Sequence, residues 1–257
     1  MKNKITLILA MLAIVPVTII AASTNETSNL TTTLSTSFVS QYMFRGVRLG
    51  GASSQSYVES SYKNFTVGGW VNVPVIDKVI GVSDPELDVY ASYAFNVCGV
   101  GISPGVTTYI CPNASTSDGS YICTVEPNLS LSYTIKGITL NPKMYYDIMM
   151  QGFTFEFNSA YSVPLNYFHT ELDFVGTIGG YQWNNSVKNA NPKVMNHGNY
   201  YLIGVNMPFN LNEHWKLVPS VAYTDSINNY FKSAGIKSNN DAAVGRVVAG
   251  IALSYSF

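Results

Sequence analysis

Eight carboxylates and six cationic side chains fall on one parity of an every-second-residue pattern, with one amide and one imidazole among them. The set is Gln41, Arg45, Glu59, Lys63, Glu86, Asp88, Glu126, Lys136, Lys143, Asp147, Glu156, His169, Glu171, Asp173, Lys216 and Arg246. Charges of both signs confined to one face suit two kinds of chemistry. One is a polar wall that screens small solutes. The other is an interior locked by its own ion pairs, for instance Arg45 with Glu86 or Asp88. If the opposite face meets lipid, the segregation has a physical cause, because a charge at the bilayer midplane costs ~2–4 kcal/mol.

Covalent chemistry finds little support. A hydrolase needs a nucleophile beside a base. None of the three histidines has a serine two positions on, where a strand would place both on one face: His169 is followed by Glu171, His197 by Asn199 and His214 by Lys216. No His-Glu-x-x-His or Cys-x-x-Cys spacing argues for a metal. Gly99-Val100-Gly101 precedes Pro104 in strand context and reads as a bend, not a nucleotide loop. The chain is therefore read as non-enzymatic and without a cofactor, with a barrel hydrolase as the remote alternative. Cys111 and Cys123 flank Pro112 to Ile122 and could close that loop with a bond worth ~3 kcal/mol, the other reading being unpaired thiols throughout. Cys98 stays free under either.

The elements that must carry these residues are strands. Apolar residues alternate in Leu34, Thr36, Phe38, Ser40, Tyr42, Phe44, and again in Leu87, Val89, Ala91, Tyr93, Phe95. They alternate in Val125, Leu129, Leu131, Tyr133, Ile135 and, at the end, in Val247, Ala249, Ile251, Leu253, Tyr255, Phe257. Period two means strands with two unlike faces. About twelve are expected, centred near residues 40, 58, 70, 90, 105, 129, 144, 157, 172, 205, 220 and 250. Connections after even-numbered strands look short (Lys63-Asn64, Asn96 to Cys98, Lys136-Gly137, Pro164 to Asn166, Asn212-Glu213). Those after odd-numbered strands are mostly long and polar, as in 112–120, 184–199 and 225–241, with Met149 to Gly152 the exception. Short turns at one rim and long loops at the other are the pattern of a transmembrane β-barrel with its short turns in the periplasm.

Composition agrees. Only 11% of the 257 residues are charged, against about 25% in soluble domains. Aromatics reach 13%, led by 18 Tyr and 12 Phe. Several cluster near strand ends, at Tyr42/Phe44, Tyr93/Phe95, Tyr145/Tyr146, Tyr167/Phe168, Tyr200/Tyr201 and Trp215, as rings at bilayer interfaces do. The polar faces are rich in Ser, Thr and Asn but poor in Lys, which disfavours a solvated β-sandwich. With 14 basic against 15 acidic residues there is no field for a nucleic-acid backbone. Lys2 and Lys4 precede an apolar run, Ile5 to Ile20, that ends at Ala21, Ala22 and Ser23, so residues 1–22 read as a secretory signal peptide and 23–257 as one barrel domain.

The run Ser40-Gln41-Tyr42-Met43-Phe44-Arg45-Gly46 resembles the opening signature of the TorF-like porin family, bacterial outer-membrane barrels. Gln55, Gly69-Trp70, Glu86-Leu87-Asp88, Tyr109 with Pro112, and Glu126 follow in the order of that family's motifs, whereas Ser56, Cys111 and Cys123 depart from them. Leu253, Tyr255 and terminal Phe257 are similar to the C-terminal signal by which barrel proteins are recognised for insertion. The resemblance implies an outer-membrane location, with lipid and the barrel-assembly machinery as partners. The charge set on the inward parity points to passive diffusion of small hydrophilic solutes or ions through a narrow polar lumen. The alternative is a non-conducting structural or adhesive barrel that works through its outer loops.

Overall fold

The computed structural model describes residues 30–77, 85–114, 121–184, 196–228 and 245–257, and the backbone of a short pairing between Leu9–Ala10 and Val17–Thr18. Apart from that pairing, the signal peptide expected over 1–22 lies outside the described residues, as do 115–120, 185–195 and 229–241 of the loops expected at 112–120, 184–199 and 225–241.

Twelve strands form one closed antiparallel barrel. They are β1 (Thr31–Val39), β2 (Ser53–Tyr62), β3 (Phe65–Pro74), β4 (Glu86–Tyr93), β5 (Val100–Ile110) and β6 (Cys123–Ile135). The second half comprises β7 (Ile138–Asp147), β8 (Gly152–Leu165), β9 (Thr170–Trp183), β10 (His197–Asn206), β11 (Trp215–Asn228) and β12 (Arg246–Ser256). Each strand pairs with the next in sequence. β12 returns to β1, from Gly250 opposite Val39 to Ser256 opposite Thr33, so no edge is left open. The strand count and the all-β barrel agree with the sequence expectation. Among the described residues no helix is long and apolar enough to cross a membrane.

Alternation decides which way each side chain points. On β8, Phe153, Phe155 and Phe157 are exposed on the outer face, while Thr154, Glu156 and Asn158 are buried inside. β4 repeats the pattern, with Leu87 and Val89 outside and Glu86, Asp88 and Tyr90 inside. An apolar outer face around a polar interior is the distribution that lipid and an aqueous lumen each favour.

At the rim that holds both barrel termini the connections are tight. Cys98-Gly99 and Lys136-Gly137 join strands with positive φ at both residues, the conformation that matches strand twist in a two-residue hairpin. Lys63-Asn64 turns β2 into β3. At the opposite rim the β7–β8 connection is short, as expected. There the Asp147 carboxylate accepts both the Met149 and Met150 N–H at 2.8 Å.

Two inward ladders brace the wall. Glu59, Gly68 and Tyr90 lie opposite one another across β2, β3 and β4. Glu156, Gly179 and Tyr200 do the same across β8, β9 and β10. In each, the tyrosine ring lies flat over the glycine, where a Cβ would sit 2.4 Å from ring atoms. Its hydroxyl then donates to the glutamate beyond, at 2.9 Å for Glu59 and 2.6 Å for Glu156.

The first strand departs from expectation. Alternation continues unbroken from Leu34 to Phe44, but β1 ends at Val39. Ser40 closes the ladder, its N–H donating to the Ala249 carbonyl and its hydroxyl accepting the Ala249 N–H. Residues Tyr42–Phe44 and Val47–Gly50 then form a separate hairpin that belongs to no wall.

Candidate functional site

That hairpin folds into the bore. Its tip is Arg45-Gly46, with φ of 48° and 75°, a two-residue turn of the same kind as those at the rim. A Cβ on Gly46 would fall 2.6 Å from the Tyr200 Cβ and 2.9 Å from the Asp225 carbonyl oxygen, so only glycine reaches this wall. Tyr42, Met43, Arg45, Val47 and Arg48 are all buried.

Arg45 spans the bore. Both terminal nitrogens donate to Glu126 on β6 at 2.8 Å, a paired, charge-assisted contact. The Tyr109 hydroxyl donates to the same carboxylate at 3.0 Å. The guanidinium lies 4.7 Å from the Phe44 ring centre and 5.0 Å from that of Tyr145. Around this clasp Tyr42 donates to Glu86 at 2.6 Å, and Tyr145 and Tyr200 donate to Glu156 at 3.0 and 2.6 Å. At the hairpin base Arg48 donates to Gln41 and lies 3.5 Å from the exposed Asp77 carboxylate.

The other flank is apolar. Met43 and Tyr42 pack with Val39, Tyr57, Trp70, Leu202, Ala222 and Val248, and Phe44, Leu49 and Val175 close the cluster.

Below the hairpin the bore opens on one side. Along the inner face of β6, Glu126 is buried, Asn128, Ser130 and Ser132 are half-buried, and Thr134 is exposed. A cavity of about 80 Å³ lies there, lined by Tyr90, Ser92, Ser103, Thr107, Asn128 and Lys143 among others. Small side chains leave this room, and the hairpin narrows the bore only toward the long-loop rim.

Barrels of this fold are known among solved structures. The barrel matches a NanC porin structure with a TM-score of 0.56 at 12% identity, covering 87% of this chain and 98% of that one. It matches the KdgM porin with a TM-score of 0.52 at 13% identity, covering 88% and 99%. The fold is that of a porin barrel. No family model matches the sequence, and no curated protein does. The TorF-like resemblance thus rests on its motif residues, of which Arg45-Gly46 proves to be the hairpin tip.

On this porin-type barrel the expected residues separate into three groups. Arg45, Glu86, Asp88, Glu126, Asp147 and Glu156 gather at hairpin level, all buried. Gln41 joins them through Arg48. Glu59, Lys143, Glu171, Asp173, Lys216 and Arg246 lie on the inner face away from the tip, with Asp173 accepting from Ser162 at 2.5 Å. Lys63, Lys136 and His169 do not face the bore. They occupy exposed turns with φ of 53°, 50° and 52°, where the chain reverses and parity no longer assigns a face. The expected partner of Arg45 is also corrected, from Glu86 or Asp88 to Glu126, because the hairpin carries Arg45 across the bore.

Two more expectations change. Tyr42, Tyr145 and Tyr200 point inward instead of sitting at bilayer interfaces. Tyr145 shares the parity of Lys143 and Asp147, a signal that was present in the sequence. Cys111 and Cys123 are both free thiols. Ile110 faces Cys123 and the Cys111 N–H bonds to the Ile122 carbonyl, so the two cysteines point to opposite faces of the ladder. Burial and then the Glu86 and Asp88 charges push the Cys111 thiol up to about 12, which keeps it protonated and unreactive. Leu253 and Tyr255 alternate outward on β12, and Phe257 follows at its exposed end.

Proposed function

We propose that this chain is an outer-membrane porin. It passes small hydrophilic solutes and ions down their gradients through a lumen narrowed by the hairpin of Tyr42–Phe44 and Val47–Gly50. The observation that carries this reading is the hairpin itself, held by Arg45 on Glu126 inside a closed twelve-strand barrel with a polar interior. Beside it the half-buried Asn128, Ser130 and Ser132 and the cavity they line leave a polar path past the hairpin. The names of the NanC and KdgM porins and the TorF-like motif support the same class.

At hairpin level Glu86, Asp88, Glu126, Asp147 and Glu156 outnumber Arg45 and Arg48, so the path favours cations. Diffusion needs no cofactor or covalent step from this wall. Export through the signal peptide and recognition of Leu253, Tyr255 and Phe257 by the assembly machinery would deliver the chain to the membrane. The competing reading is a sealed barrel acting through its outer loops, favoured by the apolar packing of Met43 against Leu202, Ala222 and Val248.

Single-channel recording of the refolded mature chain in planar bilayers separates the two. Unitary steps with a cation-selective reversal potential are expected. A folded, inserted barrel that stays silent in simple salt would end the porin reading in favour of the sealed one.

A further inference from the structure

Most carboxylates around the hairpin have donors. Glu126 has Arg45 and Tyr109, Glu86 has Tyr42, Glu156 has Tyr145 and Tyr200, and Asp147 has two backbone N–H groups. Asp88 differs. It is only 1% exposed, yet its Oδ1 has no hydrogen-bond partner among the described residues. A carboxylate removed from water is costly unless a cation, a set of donors or a bound proton compensates it.

Its surroundings say which cation. Cross-strand register places Trp70 directly opposite Asp88 on one side and Tyr109 on the other, all three on the inner face. The hairpin adds two more rings: Tyr42 is 5.8 Å from Trp70, and Phe44 is 5.8 Å from Tyr109. Aromatic faces attract organic cations, with tryptophan the strongest. Among the described residues no group of three His, Cys, Asp or Glu could hold a metal ion. An unpartnered carboxylate oxygen asks in addition for an N–H donor, which a quaternary ammonium lacks. The same barrel displays the matching mode on Glu126, which shares Tyr109 with this site: there Arg45 gives two N–H bonds to the carboxylate and lies against the Phe44 and Tyr145 rings.

We propose that Asp88, framed by Trp70 and Tyr109 under the hairpin rings, is a binding site for a small organic cation of the guanidinium class. The site deepens the porin reading and rests on it, giving the lumen a preferred solute. The cavity below reaches Tyr90 and Thr107, two residues short of Asp88 and Tyr109 on their strands, so a guanidinium-bearing solute must part the rings to pair with Asp88 and stack on Trp70. In doing so it would press on Tyr42 and Phe44, the residues that carry Arg45.

The test uses the full barrel refolded in detergent, with tryptophan fluorescence followed as methylguanidinium chloride replaces sodium chloride at constant ionic strength and at millimolar, non-denaturing levels. A saturable change is expected in the wild type and in Lys63→Ala. It should weaken about tenfold or more in Asp88→Asn, as loss of a charge-assisted contact predicts, and its amplitude should vanish in Trp70→Phe. Tetramethylammonium, a cation without N–H groups, should give no saturation. An unsaturable change, or equal affinity in Asp88→Asn, overturns the site. If Asp88→Asn does not refold, the wild type alone decides, because equal saturation by the two cations also overturns it. The porin reading fails separately: a barrel that binds methylguanidinium yet passes no current keeps the site and loses the channel, and one that conducts without binding does the reverse.

Discussion

The two flanks of the inward hairpin are built from different physics. Toward β9–β12 and β1–β3 it meets Val39, Trp70, Val175, Leu202, Ala222 and Val248, a dry contact without direction. Toward β4–β8 it meets Glu86 through the Tyr42 hydroxyl and Glu126 through Arg45, while the wall hydroxyls of Tyr109, Tyr145 and Tyr200 hold Glu126 and Glu156 in place. Apolar packing scales with area and tolerates small shifts, whereas a bidentate ion pair holds only at one geometry. On the porin reading the apolar flank would serve as the hinge and the ionic flank as the latch. Loosening the first should change how long the hairpin stays, and loosening the second should change which ions pass.

The largest effect is expected where neither flank can compensate. Gly46→Val puts a branched side chain at φ +75° against Tyr200 and the Asp225 carbonyl. The backbone term alone costs ~1–2 kcal/mol. The hairpin should leave the bore and unitary conductance should rise several-fold; wild-type conductance from a folded variant would show that the hairpin does not limit flow. Next comes the latch. Arg45→Ala strands Glu126 as a buried, unpaired charge, and breaking such a pair costs ~3–5 kcal/mol. Longer openings with stronger cation preference are expected, measured as a shifted reversal potential in a salt gradient. Glu126→Gln should lengthen openings too but shift the reversal potential the other way. Identical shifts in both variants would mean that steric release, not charge, sets selectivity.

The hinge should respond more quietly. Met43→Ala removes buried apolar volume at ~2–5 kcal/mol and should produce flicker at unchanged selectivity. A change in ion preference there would erase the distinction between flanks. Smallest of all are Lys63→Ala and His169→Ala, exposed turn residues whose loss should stay within ~0.5 kcal/mol in thermal unfolding and leave conductance alone. A conductance change in either would return that residue to the bore.

How much of this was legible in the chain follows from the range of each interaction. Strand number and facing come from period-two alternation, which is local, and the barrel therefore reads directly from segments such as Leu87 to Phe95. The hairpin hid inside the same rule. Its own strands also alternate, so the pattern from Leu34 runs through Phe44 without a break in parity. Arg45-Gly46 was the available signal, a turn dipeptide in the middle of an apparent strand. The Glu126 partner was not legible, since 81 residues separate the pair and only closure of the barrel brings them together. Lys63 and Lys136 failed for the opposite reason, because alternation was extended one step too far into a reversal. The inward tyrosines were hidden by chemistry: an amphipathic ring suits a bilayer interface and a hydroxyl-to-carboxylate contact equally well.

The two Glu-Gly-Tyr ladders stand on β2–β4 and β8–β10, six strands apart in a ring of twelve and so on opposite sides of the tube. Each ties three neighbouring staves together from within, in the circumferential direction, where a thin cylinder is easiest to flatten. Such ribs resist ovalling without help from anything in the middle. Departure of the hairpin would then uncork a tube that keeps its round section, and opening would need no bending of the wall.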